Sequence, residues 1–167
     1  MKTLILLGRS LFILAFAISL TQCEKDKETL PKNNSIKMDG NAFVVVSATM
    51  LGVSIEDDGH TAISLISGNA SESNVLTIDV NSFTQASIEG DYAFPEVDDK
   101  KILNNWLTSY SAFVGSSVES SNLDSGDVSV IHNGKNNYTV IVDLIMDNGV
   151  IFTGTYSGDF QVMFYNE

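Results

Sequence analysis

The chain holds a single cysteine, Cys23, among 167 residues, so no disulfide can form within one molecule. Arginine is equally scarce, since Arg9 is its one occurrence, and the chain has only two prolines and two histidines. Burial and backbone pairing must therefore hold the fold together, and a chain of this length is large enough for that. So few cysteines and histidines also argue against a zinc site.

Positive charge is scarce as well, whereas acidic charge is abundant. The chain has 21 aspartates and glutamates against nine lysines and arginines, a formal net charge of −12. Loss of an N-terminal leader would remove Lys2 and Arg9 and bring this charge to −14. Nucleic acid is excluded as a partner, because affinity for it comes mainly from neutralising phosphates. The acidity is typical of a soluble extracytoplasmic domain, and a surface for cations or a basic partner is the alternative.

The N-terminal sequence has the pattern of a secretory signal. Two positive residues precede an apolar run, Leu11–Ile18, and a charged run follows at residues 24–28. The apolar run is shorter than the roughly 20 residues of a transmembrane helix and fits the roughly 7–15-residue core of a signal peptide. We therefore predict a signal peptide over residues 1–22 rather than an uncleaved membrane anchor or a buried helix.

The four residues Leu20-Thr21-Gln22-Cys23 resemble the lipobox of bacterial lipoproteins, although Gln22 departs from the small residue usual before the cysteine. In that family the cysteine carries a diacylglycerol and a third acyl chain. The resemblance implies that Cys23 is lipidated and that a membrane anchor holds the protein in the bacterial cell envelope. It implies an outer-membrane lipoprotein, with a periplasmic or a surface-exposed orientation left open. Each buried CH₂ contributes roughly 0.8 kcal/mol to such an anchor. The alternative is a plain signal peptide with an incidental cysteine.

Residues 23–34 have the composition of a flexible polar tether, with Pro31 as a stiff point. Their charged run resembles the export signal of Bacteroidetes surface lipoproteins, and a solvated linker is the plainer interpretation. The remaining residues, 35–167, match the size of one domain.

This domain has the pattern of β-strands separated by Gly, Asn and Asp turns. Residues 75–81 and 138–146 alternate apolar and polar side chains, which indicates strands with one buried face. Residues 42–55 are apolar on both faces, which predicts a strand at the centre of the core or at a sheet interface. Hairpin turns are expected at three dipeptides that tolerate positive φ, namely Asp58-Gly59, Asn133-Gly134 and Asn148-Gly149. The C-terminal half is therefore predicted to be a three-stranded antiparallel meander.

The last segment, residues 150–164, is too long for one straight strand in a small domain. We expect bends at Gly154 and Gly158, and a segment that joins two sheets or curls around a barrel. The middle of the chain is less regular. Its predicted elements are a strand over 87–94 that ends at Pro95, a short helical turn within 96–106, a strand over 107–118 and a serine-rich stretch over 116–125.

No set of residues with catalytic spacing emerges from the sequence. His60 and His132 lie beside predicted turns, where a histidine is usually solvated, and no serine occupies a Gly-x-Ser-x-Gly elbow. The acidic clusters near loops do not match the spacing of an EF-hand. We predict no catalytic residue, no metal site and no cofactor. A hydrolase built on two carboxylates about 5–10 Å apart is the least favoured alternative.

Aromatic residues in the irregular middle are the best candidates for ligand contact. We single out Trp106, Tyr110 and Tyr92, because rings with an exposed face serve as platforms for sugars or apolar partners. The alternative is that these rings cap the core. Trp106 is the strongest candidate, since it stands in a polar stretch beside Asn104 and Asn105.

The strand and turn pattern of residues 125–158, together with Gly90-Asp91-Tyr92, resembles the C-terminal meander of small Bacteroidetes lipoproteins. The resemblance implies an all-β fold, either a single antiparallel β-sandwich or a calycin-like barrel. We interpret the protein as a non-catalytic binding module of the envelope whose partner is a glycan or another envelope protein. A calycin-like carrier of a small apolar ligand is the main alternative. A lined barrel would favour the carrier, and a filled sandwich would favour surface binding.

Overall fold

A computed structural model describes residues 34–55, 58–69, 71–82 and 87–166. The predicted signal peptide, Cys23 and all of the predicted tether except Asn34 lie outside these residues. Residues Pro31–Glu167 form one compact unit. Among the described residues, no helix is long and apolar enough to cross a membrane.

The described residues form 12 strands and no helix. The strands are β1 (Lys37–Met38), β2 (Asn41–Ala42), β3 (Val45–Ile55), β4 (Asp58–Gly68), β5 (Glu72–Val80), β6 (Gly90–Phe94), β7 (Lys101–Ile102), β8 (Ser109–Val114), β9 (Ser117–Gly134), β10 (Asn137–Met146), β11 (Ile151–Asp159) and β12 (Gln161–Asn166). Their hydrogen-bonded order is β12-β3-β4-β5-β8-β9-β10-β11-β1-β2, with β6 beside β9 and β7 beside β6. The prediction of an all-β, sandwich-like fold is confirmed. The sheet is mixed rather than purely antiparallel, because β12 pairs with β3, and β7 with β6, in parallel.

The strands form two sheets, which are joined by the long strand β9 and by the passage from β11 to β12. We call β3, β4, β5, β8 and β12 sheet B, and β1, β2, β6, β7, β10 and β11 sheet A. Strand β9 belongs to both, because residues 117–122 pair with β8 and residues 123–134 pair with β10 or β6. The chain leaves β11 in sheet A, passes Phe160 and enters β12 at the far end of sheet B.

The core lies between the sheets and follows the two-residue period of the strands. Residues of β10 alternate as predicted, and those of β5 do so as far as Ile78, whereas Asp79, predicted on the solvent face, is also buried. The buried apolar residues of the two strands are Leu76, Ile78, Val80, Tyr138, Val140, Val142, Leu144 and Met146. Aromatic rings from both sheets meet in the interior. The Phe152 ring of β11 lies 5.2 Å from the Tyr110 ring of β8 and 5.5 Å from the Phe43 ring, between centroids. The two layers are therefore packed directly against each other.

The expectation that residues 42–55 are buried on both faces is wrong. Val45 and Met50 point into the core, whereas Val44, Val46 and Leu51 are exposed. The pairing register of β3 with β4 shifts between Val45 and Ser47, so the inward face changes parity along the strand. The outer face of β3 consequently carries exposed apolar side chains at Val46 and Leu51, with Ser47 and Thr49 between them.

The three predicted hairpins exist, as does the C-terminal meander β9-β10-β11, but of the three dipeptides only Asn148-Gly149 lies in the turn. The first turn lies two residues earlier than predicted. Ile55 pairs with Asp58, so Asp58 and Gly59 belong to β4 and the connection falls at residues 56–57, outside the described residues. The turn between β9 and β10 lies two residues later than predicted, because Asn133 and Gly134 belong to β9 and Gly134 pairs with Asn137. Positive φ occurs at Gly134 and Lys135 and not at Asn133.

The C-terminal segment joins two sheets as expected, but its break is at Phe160 and not at Gly154 or Gly158. Gly154 has a different role. Its φ is +122°, and a Cβ at this position would lie 2.4 Å from the carbonyl oxygen of Ser35. The glycine thus lets the segment that leads into β1 lie directly against β11.

The middle of the chain differs most from its prediction. Residues 96–106 contain no helical turn, because Lys101 and Ile102 pair in parallel with β6 and Leu103 is buried. The serine-rich stretch is the first half of β9. Most of its polar side chains are exposed, but Ser121 is buried. On the solvent face, the Ser111 and Ser120 hydroxyls are 2.9 Å apart across the β8–β9 pair.

Candidate functional site

Trp106 and Leu107 form an apolar projection in the turn between β7 and β8, which we call the Trp106–Leu107 tip. Trp106 is 79% exposed and Leu107 is 52% exposed. An exposed tryptophan next to an exposed leucine is unusual for a solvent-facing turn, because isolated apolar residues are common at surfaces but adjacent large ones mark contact sites. The structure thus leaves Trp106, the strongest of the predicted contact residues, open to a partner.

The turn that carries the tip is held by Asn104. The Asn104 side-chain oxygen accepts the backbone N–H groups of Trp106 at 3.1 Å and Leu107 at 3.3 Å, an Asx turn. The Asn104 carbonyl accepts the N–H of Thr108 at 2.9 Å, and the Asn104 N–H donates to the Asp79 carbonyl at 3.0 Å. Asparagine therefore stands at this position because its side chain closes the turn.

Thr108 connects the turn to sheet B by hydrogen bonds. It is fully buried, and its hydroxyl accepts the Asp79 N–H at 3.0 Å. The Thr108 carbonyl accepts the N–H of Leu123 at 3.0 Å. The backbone of the tip is thus bonded to β5 and β9 before any partner arrives.

Asp79 also joins the one histidine–carboxylate pair in the described part of the chain. His60 Nδ1 lies 3.0 Å from Asp79 Oδ1, and the side chains of the two residues are 37% and 6% exposed, respectively. Burial raises the pKa of Asp79, and the hydrogen bond and charge of His60 oppose part of that rise. Within the described residues no hydroxyl bonds to His60, so the pair lacks the nucleophile that a triad needs. His132 has a different environment, because its ring stacks on Tyr138 with centroids 4.7 Å apart.

Tyr92 and Tyr110 do not form ligand platforms, and the prediction for these two residues is wrong. Tyr92 is fully buried, its hydroxyl donates to the Ile88 carbonyl at 2.7 Å, and burial raises its pKa to about 12. Tyr110 is 8% exposed and its hydroxyl donates to Asn74 Oδ1 at 2.7 Å. Both rings serve the core, because their strands place them on the inner face.

The acidic residues that the structure describes do not form a metal site. No group of three or more His, Cys, Asp or Glu residues among those described is arranged to hold a metal ion. Asp127 and Asp143 are cross-strand partners, but both lie on the exposed face of sheet A, and Lys100 Nζ contacts Asp127 Oδ1 at 2.6 Å. An open sheet face is not the cleft in which two carboxylates hydrolyse a glycoside.

Comparisons of the chain with protein-family models, with curated proteins and with solved structures find no match. The site therefore has to be judged on its own geometry. Sequence reasoning found Trp106 through its polar neighbours but missed the His60–Asp79 pair. That pair depends on the register of β4 and β5, which puts Ala62 opposite Asp79. No local sequence pattern predicts this register.

Proposed function

We propose that this protein is a lipid-anchored binding module of the bacterial cell envelope that acts without catalysis. Its contact with a glycan or an envelope protein is made by the Trp106–Leu107 tip. The observation that carries this proposal is an almost fully exposed tryptophan on a turn fixed by hydrogen bonds.

The physical argument is one of preorganisation. Tryptophan is among the residues that contribute most binding energy at interfaces, and fixing a side chain in advance reduces the entropy lost on binding. Asn104 and Thr108 already order the backbone of the tip. A flat indole also suits the apolar face of a sugar ring, so both partner classes fit the tip.

The packed interior favours surface binding over the carrier alternative. A carrier needs an interior lined by side chains and left open for its ligand. Here the rings of Tyr110 and Phe152 meet between the two sheets at 5.2 Å. A catalytic role has less support, since His60 and Asp79 have no nucleophile beside them within the described residues.

The tip is tested with Trp106→Ala and, as a matched control, Ile141→Ala on the exposed face of sheet A. The full chain is mixed with insoluble cellulose, chitin, mannan and peptidoglycan, and the bound fraction is measured. We expect at least one glycan to retain the wild type and the control but not Trp106→Ala. Because Trp106 is the only tryptophan, its emission should shift to the blue on binding. Binding that survives Trp106→Ala would contradict a role for the tip.

The anchor is tested separately at Cys23. Cys23→Ser should move the protein from the membrane fraction to the soluble fraction, because the sulfur that carries the lipid is gone. Gln22→Ala is the control, since it restores a small residue before the cysteine and should keep the protein in the membrane. A Cys23→Ser variant that still sediments with membranes would refute the anchor.

A further inference from the structure

His60 and Asp79 form a polar pair on the outer face of sheet B. Ile78 and Val80 are buried in the core on either side of Asp79, so the Asp79 carboxyl group points to the opposite face. Only 6% of this side chain is nevertheless exposed. His60 lies on β4 two residues before Ala62, the cross-strand partner of Asp79, and the two side chains meet diagonally across β4 and β5.

The same aspartate holds the base of the Trp106–Leu107 tip. The Asp79 N–H donates to Thr108 Oγ1 at 3.0 Å, and the Asp79 carbonyl accepts the Asn104 N–H at 3.0 Å. The tip is the turn between Asn104 and Thr108. Asp79 is therefore bonded to both ends of this turn through its backbone and to His60 through its side chain. His60 consequently lies beside the turn that carries the tip.

Asp79 determines which ring nitrogen of His60 is left for a ligand. A carboxylate only accepts hydrogen bonds, so the neutral imidazole donates its Nδ1 hydrogen to Asp79 Oδ1, 3.0 Å away. The other nitrogen, Nε2, then has a lone pair and acts as an acceptor. None of the described residues forms a hydrogen bond with Nε2, and 37% of the His60 side chain is exposed. The pair thus presents one oriented acceptor beside an exposed indole.

The packing of sheet B does not require a buried carboxyl group at this position. Taking a carboxylate out of water is unfavourable, and burial accordingly raises the pKa of Asp79. A small or apolar side chain would occupy the same place on the outer face without that disadvantage. Ionisable groups that are desolvated and hold one specific partner are typical of functional sites. The pair is therefore a candidate part of the site beside it.

The surroundings of the pair favour an uncharged ligand. Strands β4 and β5 and residues 104–108 contain no lysine or arginine. An acidic sugar would find no cation there, and the Asp79 carboxylate would repel it. Sugar hydroxyl groups donate hydrogen bonds, and the apolar face of a sugar ring fits a flat indole. A neutral glycan therefore satisfies both groups, whereas a hydrophobic protein surface would cover Nε2 of His60 without a donor.

We propose that the Trp106–Leu107 tip binds a neutral glycan, and that His60 accepts a hydrogen bond from one of its hydroxyl groups through Nε2. Asp79 is the positioning residue that holds the imidazole. The inference rests on the proposed function and narrows its partner to one chemical class.

Isothermal titration calorimetry of the full chain, in a detergent without a sugar headgroup, tests this inference. The probes are cellohexaose, mannohexaose and N-acetylchitohexaose, which are neutral, and hexagalacturonic acid. We expect at least one neutral oligosaccharide to bind with a Kd below about 1 mM. The acidic oligosaccharide should bind at least about tenfold more weakly.

Substitutions of His60 measure its contact with the neutral oligosaccharide. His60→Ala should weaken binding about three- to tenfold, the range expected for one hydrogen bond. His60→Gln places an amide oxygen near the position of Nε2 and should keep binding within about twofold of the wild type. The matched control is His132→Ala on β9, which should also stay within about twofold.

The folding of each variant is checked, because His60→Ala leaves the Asp79 carboxyl group without its partner. The unfolding midpoint identifies a variant that misfolds. His60→Ala combined with Asp79→Asn replaces the unpaired carboxyl group by a neutral amide. This double variant decides the test if His60→Ala alone does not fold.

The possible results separate this inference from the proposed function. If Trp106→Ala abolishes binding while His60→Ala binds like the wild type, the tip is the contact site and the role of His60 is refuted. An equal loss in His132→Ala would refute that role as well. Tighter binding of hexagalacturonic acid than of every neutral oligosaccharide would overturn the neutral class. If no oligosaccharide binds up to about 1 mM, the inference fails and an envelope protein is left as the partner of the tip.

Discussion

Substitutions at Phe152 test how tightly the two sheets are packed against each other. Its side chain is fully buried on β11, and its ring contacts Phe43 edge-on and Tyr110 across the interior. The next residue back, Ile151, lies on the same strand but faces solvent. Phe152→Ala and Ile151→Ala therefore remove apolar side chains from opposite faces of one strand.

The expected loss at Phe152 is large. Replacing a buried phenylalanine by alanine lowers the free energy of unfolding by about 3–5 kcal/mol. Phe152→Leu keeps most of the apolar volume but loses two ring contacts of about 0.5–1.5 kcal/mol each, so it should lose about 1–3 kcal/mol. Domains of this kind unfold with about 5–15 kcal/mol in total. Phe152→Ala would thus remove about a fifth or more of the stability. Ile151→Ala should stay within about 1 kcal/mol of the wild type.

Urea unfolding followed by far-ultraviolet circular dichroism is the appropriate assay. Tryptophan fluorescence is a poor reporter, because Trp106 is exposed in the folded protein. The free energy of unfolding should decrease in the order wild type, Ile151→Ala, Phe152→Leu and Phe152→Ala. If Phe152→Ala and Ile151→Ala lose equal amounts, the interior is not packed at Phe152. That result would refute the filled sandwich and favour the carrier.

Three further substitutions test local features, each by urea unfolding against a control. Gly126→Ala should lose at least about 2 kcal/mol, because φ is +149° and a Cβ would lie 2.3 Å from the Asp143 carbonyl oxygen. Gly115→Ala, with φ +59° and open space around it, should lose only about 1 kcal/mol, and equal losses would contradict the argument. Thr108→Val should lose about 1–3 kcal/mol, because the buried Asp79 N–H loses its acceptor, whereas Thr153→Val on the exposed face should be near neutral. Burial raises the pKa of Asp79, so the carboxyl group binds a proton more tightly in the folded chain than in the unfolded chain. Its contribution to stability is therefore largest at acid pH and smallest above its folded-state pKa. The stability of Asp79→Asn relative to the wild type should therefore increase as the pH rises from 3.8, the ordinary pKa of this group, and a difference that does not change with pH would exclude the effect.

The sequence by itself determined the local elements. Alternation over residues 75–81 and 138–146 predicted both strands and their apolar inner faces, because side chains of a strand point to opposite sides in turn, but it did not predict the burial of Asp79. The Asn-Gly dipeptides predicted that hairpins join the strands of the C-terminal meander, although only Asn148-Gly149 lies in its turn and the other turn is formed by residues 135–136. Trp106 was predicted to be exposed from its polar neighbours, and the structure confirms that exposure.

Only the tertiary structure decided which strands pair and which rings are buried. The serine-rich half of β9 has no apolar alternation of its own, and it becomes a strand because β8 lies beside it. Tyr92, Tyr110 and Trp106 are aromatic residues of the same irregular region of the sequence. The two tyrosines lie on the inner faces of strands, whereas Trp106 lies in an exposed turn. The parallel pairing of β12 with β3 joins residues more than a hundred positions apart, and nothing in either segment alone indicates that they pair. Periodicity and turn chemistry act over a few residues, whereas register and edges depend on contacts between distant segments.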